Sequence, residues 1–327
     1  MSMKKKAKYI ILIILSLVVI ISVLAYKSYQ QSYYLSYVTT EFDQDDNEIM
    51  NIYTLDIKSG QFKKMTQLPY CCSYPTAIYD KESQCVYYSN NQKSKDHHDW
   101  VLKYNCQTKK SEVVLDCFVR INDILMSNDK NLYIIGSTKK NNIIKPYVYN
   151  IKTKKISQID ISKDMCFGDN YNCFNDELLL TGYNDEESRR MMEKYNNQSI
   201  KKDEKDYNIK NRIYKYRNSP QLLTTVSTGN IPIITSDSKK IIYGKYDGFS
   251  MNNLQFQQFK DQKNSSYQLD KSIIGLIQLL DNDKLLCIAS TTYSEGIYIY
   301  DIQNKSFDKE LFNSKGESLY SAHYIKE

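Results

Sequence analysis

Residues 51–60 read NIYTLDIKSG, and residues 296–305, near the other end of the chain, read GIYIYDIQNK. In the first copy Tyr53, Leu55 and Ile57 fall on one face of an extended strand, and a polar cluster then ends the run. This is the pattern of a β-strand that runs into a tight turn. A phrase that recurs along a chain indicates a repeat architecture, so the period of the repeat decides the fold.

The same phrase occurs six times, and its strands end at Asp56, Asn105, Asn150, Arg217, Lys260 and Asp301. A second phrase joins an Asp or Asn turn to an apolar strand, and its strands start near Leu35, Cys85, Asn131, Glu177, Ile241 and Leu285. Both series advance by about 45 residues, apart from one longer step in the fourth unit. A unit of this length with several short strands predicts an all-β fold, a six-bladed β-propeller of four-stranded antiparallel blades.

The C-terminal segment, ESLYSAHYIKE at residues 317–327, matches the strand that precedes each Asp turn, as in YPTAIYD. The first unit lacks that strand. We therefore expect the C-terminal segment to complete blade one, because a closed ring removes the open sheet edges that invite aggregation. The two copies of the opening phrase are then equivalent strands of neighbouring blades.

Two stretches, SDSKKIIYGKYDG and NIYTLDIKSGQFKKMTQL, resemble the repeat of the TolB-like propeller family. In that repeat a Ser-Pro-Asp-Gly-Lys turn precedes an apolar strand, and an Ile-Tyr-x-x-Asp strand precedes a Gly turn and a Leu-Thr end. The likeness extends over residues 34–327, although every copy lacks the Pro and Gly of the turn. The resemblance implies a bacterial, six-bladed envelope propeller that acts through binding surfaces, and it transfers no catalytic residue.

The N-terminal segment has the pattern of a signal anchor. Four lysines within residues 1–8 form a basic tail, and residues 9–26 are uncharged and apolar. A helix of that length would span roughly 27 Å, close to the thickness of the bilayer core. The tail predicts a cytoplasmic N-terminus, a transmembrane helix at 9–26, a linker at 27–33 and an extracytoplasmic propeller at 34–327. The alternative is a signal peptide cleaved after Ala25.

The charge balance argues against a nucleic-acid partner. The whole chain has 44 Lys and Arg against 38 Asp and Glu, but the first 26 residues hold four of the lysines and no acidic residue. The remainder is therefore nearly neutral, and it has no field suited to a polyanion.

No motif in the sequence carries recognisable chemistry, so we expect no catalytic residue, cofactor or metal. KDHHD places two adjacent His side chains on opposite sides of an extended segment. DQDDNE begins like a calcium loop, but Glu48 and Thr54 stand where Gly and Glu are needed.

An envelope polysaccharide or antibiotic lyase, the rival hypothesis, would need His and acidic groups on the ring axis, and only His323 could approach it. An extracytoplasmic sensor is a third alternative.

The eight cysteines offer one candidate disulfide. Cys85 and Cys106 fall on neighbouring strands of blade two, near ends that should meet. Cys166 and Cys173 lie along one extended stretch, roughly 23 Å apart at ~3.3 Å per residue, which is too far to bridge.

The loops between the second and third strands of the blades are long and charged, and we expect them to form the binding face. In a propeller these loops open on the same side as the loops between blades. They include an insertion in blade four at residues 184–211, where Asn184 can cap a helix. The candidate residues are Asp43, Asp45, Asp46, His97, His98, Lys139, Lys140, Arg189 and Arg190.

Loops on a rigid scaffold are where binding usually resides, so the sequence predicts a membrane-tethered binding or scaffolding module with an envelope protein or glycan partner. The alternative is that these tips are charged only for solubility.

Overall fold

Six four-stranded antiparallel sheets follow one another along the chain as the blades of a β-propeller. The computed structural model describes Ser16 and residues 33–72, 74–92, 94–174, 176–196, 210–226, 232–235, 239–247, 250–258, 264–281, 283–290 and 294–326. Within these ranges there are twenty-four strands and, in blade four, helix α1 (Asp185–Asn196). The all-β, six-bladed fold predicted from the repeat is confirmed.

Each blade contributes an inner strand, two middle strands and an outer strand. Blade one contains β1 (Tyr33–Phe42), β2 (Glu48–Asp56) and β3 (Phe62–Pro69). Blades two and three contain β4 (Ala77–Asp80), β5 (Cys85–Asn90), β6 (Trp100–Asn105), β7 (Lys110–Leu115), β8 (Phe118–Met126), β9 (Asn131–Thr138), β10 (Asn141–Asn150) and β11 (Lys155–Gln158). Blades four and five contain β12 (Met165–Phe174), β13 (Glu177–Asn184), β14 (Asn211–Tyr216), β15 (Pro220–Val226), β16 (Pro232–Ile234), β17 (Lys240–Asp247), β18 (Ser250–Gln258) and β19 (Asn264–Gln268). Blade six and the closing strand are β20 (Ile273–Leu279), β21 (Lys284–Ser290), β22 (Glu295–Asp301), β23 (Ser306–Asn313) and β24 (Ser318–Lys326).

The C-terminal strand closes the ring, as the sequence predicted. Blade one has the strand order β24-β1-β2-β3, so β24 occupies the inner position that β4 fills in blade two. The antiparallel register runs from Tyr33 opposite Lys326 to Thr40 opposite Ser318. The first strand begins at Tyr33, one residue before the propeller start expected from the sequence.

Turn chemistry explains why the opening phrase recurs. Where the third strand of a blade ends, an Asp or Asn side chain accepts a hydrogen bond from a backbone N–H three residues on: Ser59 N to Asp56 Oδ1 at 2.6 Å and Thr153 N to Asn150 Oδ1 at 2.8 Å. The next residue has positive φ, 73° at Gly60 and 56° at Lys154. The Asp or Asn side chain stabilises the turn, so the turn does not require Gly at its positive-φ position. The repeat can therefore recur in a chain with only 10 Gly.

The hydrophobic core lies between neighbouring sheets. Val38 of blade one, Ile78 of blade two and Ile124 of blade three are fully buried in one continuous cluster. Another cluster joins blade six to blade one, where the Tyr37 and Phe312 ring centroids lie 4.7 Å apart. The interface that closes the ring is therefore packed like the others.

The turn at Asp301 should give the fold a measurable acid sensitivity. Its carboxylate accepts from the Asn304 backbone N–H at 2.8 Å and from Lys284 Nζ at 2.7 Å, and these contacts lower the pKa of Asp301 to about 2. Because the folded pKa lies below the unfolded value of 3.8, this contribution is complete above the unfolded pKa and is lost as the pH falls towards 2. Asp301→Asn should therefore flatten the free energy of unfolding against pH between about pH 5 and 2. Urea titrations at a series of pH values measure this. Equal slopes of the free energy of unfolding against pH for the wild type and the variant would contradict it.

The segment predicted to anchor the chain lies outside the described residues. This applies to the basic tail at 1–8, to the transmembrane helix at 9–26 apart from Ser16, and to the linker at 27–33 apart from Tyr33. Within the described part of the chain, no helix is both long enough and apolar enough to cross a bilayer.

Candidate binding face and ring channel

The loops between second and third strands open on one side of the ring, which we call the loop face. Contacts between loops of different blades show this: Lys139 Nζ of the β9–β10 loop lies 3.2 Å from Asp96 Oδ2 of the β5–β6 loop. The linker from blade one to blade two lies on the same side, because Asn91 N donates to the Cys71 carbonyl at 2.6 Å. Among the described residues, the loop face therefore comprises the loops β1–β2, β5–β6 and β9–β10, the start of the β13–β14 connection and the blade linkers. The β17–β18 loop, also predicted to belong to it, lies outside the described residues.

The acidic loop of blade one uses only one of its carboxylates to hold its shape. Asp43 Oδ1 accepts from the backbone N–H groups of Asp45 and Asn47, both at 2.9 Å. The bond from Asn47 is the main reason that the pKa of Asp43 is lowered. Asp45 and Asp46 are exposed, and Asp46 has a φ of 59°. The loop therefore leaves two carboxylates exposed.

The loop between β5 and β6, which carries His97 and His98, is held to blade three by a buried carboxylate. Asp99 is fully buried, and its Oδ2 accepts from the Ile121 backbone N–H at 2.9 Å. His97 is exposed with a φ of 55°, while His98 is partly buried and its Nδ1 lies 3.9 Å from Asp96. The two imidazoles thus have different surroundings, and within the described residues no group of His, Cys, Asp or Glu is arranged to hold a metal.

The two lysines of blade three border a cleft. Lys139 and Lys140 are exposed at the tip of the β9–β10 loop. A cavity of about 490 Å³ beside them is lined by Cys117, Tyr147 and Ile156, among others. That volume is within the ~300–1,000 Å³ of typical small-molecule sites, so blade three combines positive charge with an apolar recess.

The first part of the insertion in blade four forms helix α1, and residues 197–209 of the insertion lie outside the described residues. Asn184 Oδ1 accepts from the Glu187 backbone N–H at 2.8 Å, which is the N-cap that the sequence predicted. Arg189 pairs with Asp185 at 3.0 Å, and Arg190 pairs with Glu186 one residue further on. Both Arg side chains stay 70% exposed, and such pairs contribute only about 0.3–0.5 kcal/mol each.

The predicted site residues thus share one side of the ring but form only one direct cluster. That cluster joins His98 and Lys139 through Asp96. The Asp43 loop and the Arg189–Arg190 helix belong to blades one and four, and each of them is held by its own local bonds. A partner that touched all of them would have to span the ring.

The candidate disulfide residues lie at the same end of blade two. Cys85 opens β5, and Cys106 N donates to the Gln84 carbonyl at 3.0 Å. Burial raises the pKa of the Cys106 thiol, with a smaller contribution from Cys85. Both are free thiols in the structure, so the disulfide stays a prediction.

A polar cluster lies on the ring axis, and the sequence analysis indicated only its histidine. Asp123 of β8 accepts on Oδ1 from the Thr76 hydroxyl and from the Ile124 backbone N–H at 2.8 Å. His323 Nε2 of β24 lies 3.1 Å from the same oxygen. One buried carboxylate therefore links blades one, two and three. His323 was singled out from the sequence as the only imidazole able to reach the axis, and the structure places it there.

This cluster borders a cavity of about 230 Å³ in the channel. Asn122 and Asp123 line it from blade three, Asn172 from blade four, Ile277 from blade six and His323 from blade one. Asn172 Nδ2 donates to the Ile277 carbonyl at 2.8 Å, so the inner strands of blades four and six also meet. The sequence signal for these residues was Asn-Asp in β8 and Asn-Tyr-Asn in β12, which place polar side chains within inner strands.

The six sheets around this channel define the chain as a six-bladed β-propeller. No family model and no curated protein matches its sequence. Among solved structures, a chain of the nidogen/laminin complex has a TM-score of 0.58 and 9% identity, covering 89% of this chain and 98% of that chain. TolB from Acinetobacter baumannii has a TM-score of 0.58 and 11% identity, covering 89% of this chain and 66% of that chain. At such identities the comparison shows the fold alone, and that fold is TolB-like.

Proposed function

We propose that this protein is a binding module of a bacterial cell envelope. The segment at residues 9–26 tethers it to the membrane, and the propeller lies outside the cytoplasm. The support for the tether is the sequence pattern of basic tail and apolar run. The support for binding is the propeller fold, which it shares with TolB and with a chain of a nidogen/laminin complex.

The partner is a protein that contacts the loop face. The observation that carries this proposal is the ion pair between Asp96 and Lys139, because it joins charged loops of two blades into one surface. Asp45 and Asp46 make the blade-one side acidic, and Lys139 and Lys140 make the blade-three side basic. A partner with the opposite arrangement of charges would be steered into one orientation.

The proposal assigns no reaction to the protein. The lyase alternative would require His323 and Asp123 to act on a substrate. Here the Asp123 oxygen that faces His323 also accepts from Thr76 and from the Ile124 backbone, so the pair is part of a contact between blades. That arrangement favours a structural role for the pair and a binding role for the module.

Reversing the charge of Lys139 and Lys140 should weaken partner binding without unfolding the protein. The double variant Lys139→Glu/Lys140→Glu changes two exposed side chains, so the free energy of unfolding should move by less than about 0.5 kcal/mol. Recovery of the partner from cross-linked envelopes should fall about tenfold, because two contacts of roughly 0.5–1 kcal/mol are lost. Quantitative mass spectrometry of the co-purified material measures this.

The matched control changes two lysines of the same blade on the opposite side of the ring. Lys152 and Lys155 are exposed at the β10–β11 turn, and Lys152→Glu/Lys155→Glu carries the same change of charge. Equal recovery with both double variants would remove the loop face from the partner site. Recovery of a glycan in place of a protein, with the same lysine dependence, would keep the face and overturn the protein partner.

A further inference from the structure

We propose that the channel cavity binds one small uncharged ligand rich in hydroxyl groups, of the size of a single sugar unit. The residue that recognises it is Asn122. The proposal concerns the ring axis, and it does not rest on the loop face or on the partner that contacts it.

Irregularities in the inner strands aim side chains into this cavity. Three lining residues, Asn122, Ile277 and Tyr320, are each the extra residue of a β-bulge, in β8, β20 and β24. Bulges re-aim side chains and are common beside binding sites. Opposite the bulge at Asn122 stands Gly136, where any Cβ would collide with the Arg120 carbonyl oxygen. The chain therefore uses Gly at the place where the bulge needs it.

Asn122 holds an acceptor that the described residues leave unused. The side chain is only 8% exposed, and its Nδ2 donates to the Gly168 carbonyl at 2.8 Å. Because a carbonyl can only accept, this bond fixes which amide atom is the nitrogen. The amide oxygen is buried without a hydrogen-bond partner in the described part of the chain, and so is Ser321 Oγ on β24. A buried acceptor left unmatched is costly, and a ligand hydroxyl would satisfy it.

The charge of the lining disfavours an anion. Among the described residues that line the cavity there is no Lys or Arg, and the His323 imidazole faces Asp123, so the lining itself offers an anion no free counter-charge. The lining carboxylate, Asp123, already accepts from Thr76, Ile124 and His323 on one oxygen. Tyr320, 51% exposed, offers aromatic surface beside these polar groups. The ring of Tyr74 is 40% exposed, and the Arg120 guanidinium lies over it at 5.9 Å. A hydroxyl-rich ring with an apolar face matches this combination.

The size of the cavity and its position in the channel limit what can enter. Its volume of about 230 Å³ is below the ~300–1,000 Å³ of drug-sized sites, so it suits one sugar unit. Away from Tyr74, near the other end of the inner strands, the rings of Tyr33, Phe174 and Tyr324 pack between blades one and four. Their centroids are 4.8 to 6.4 Å apart. The ligand would therefore enter from the loop face.

Saturation-transfer NMR on the full-length protein tests the proposal. The panel is glucose, galactose, N-acetylglucosamine and mannitol, with choline as the cationic probe and inorganic phosphate as the anionic probe. At least one of the neutral compounds should bind. Asn122→Ala should weaken that binding about tenfold, because it removes the hydrogen-bonding partner of the ligand. Tyr320→Ala, which changes an exposed side chain and should keep the fold, should weaken it severalfold.

Thr108→Ala is the control, because Thr108 is exposed in the turn between β6 and β7 and lines neither cavity. It should bind the same compound with unchanged affinity. The proposal is overturned if no neutral compound binds to the wild type, or if choline or phosphate binds in preference. It is also overturned if neither Asn122→Ala nor Tyr320→Ala, each shown to be folded by its melting curve, weakens the binding.

Discussion

Deleting residues 318–327 should abolish cooperative unfolding of the propeller and cause it to aggregate. The deletion removes β24, which forms eight residue pairs with β1 and supplies the inner strand of blade one. It exposes the backbone of β1 as an open edge, and it leaves Asp123 without His323. The buried Ile325 and the Tyr324 ring that stacks on Tyr33 at 4.8 Å are lost as well. Chemical denaturation and size-exclusion chromatography measure both effects.

A chain ending at Lys326 is the matched control, since it keeps every pair between β24 and β1. It should unfold in one transition and elute as the full-length protein does. A soluble chain ending at residue 317, with unchanged melting, would contradict closure of the ring by the C-terminal strand.

Replacing Lys145 by Met should lower the free energy of unfolding by about 2–3 kcal/mol. Lys145 is 2% exposed, and its Nζ donates to the carbonyls of Ser162, Lys163 and Met165 at 2.6, 2.8 and 2.6 Å. Burial lowers the pKa of Lys145, and the three carbonyls offset the cost of holding the ammonium there. Met fills similar space but leaves the linker between blades three and four without its donors.

Lys163→Met tests whether the effect belongs to the buried ammonium. Lys163 is exposed in the same linker, so its replacement should change the free energy of unfolding by less than about 0.5 kcal/mol. Urea unfolding of the two variants provides the comparison. Equal effects would show that the contacts of Lys145 contribute nothing beyond those of a surface lysine.

The features that could be predicted from the sequence are those that recur in every unit. The second strands were expected near Cys85, Asn131 and Glu177, and those are the first residues of β5, β9 and β13. The ends of the third strands at Asp56 and Asn150 were also predicted, because their turns are built locally, by Asp or Asn side chains that bond to their own backbone. The closing strand was also predictable, because the first unit lacked a strand and the C-terminal segment matched the missing one.

The contacts on the ring axis could not be predicted, because they join residues that do not repeat. The Asp123–His323 pair links β8 to β24, which are 200 residues apart. The bulge at Asn122 depends on Gly136 in the neighbouring strand, and no periodic pattern marks it. Lys145 resembles any surface lysine in the sequence. Long-range packing decides these positions, and a single sequence does not show it.

In the proposed function the propeller and its loop face lie outside the cytoplasm, and protease accessibility in intact cells tests this most directly. Protease added to cells stripped of their wall should digest the propeller while a cytoplasmic marker stays whole. The digestion should leave an N-terminal membrane fragment that includes residues 9–26. A propeller that survives in intact cells, and is digested only after the membrane is permeabilised, would contradict its placement outside the cytoplasm. A soluble form that begins at Tyr26 would contradict the tether and show a cleaved signal peptide.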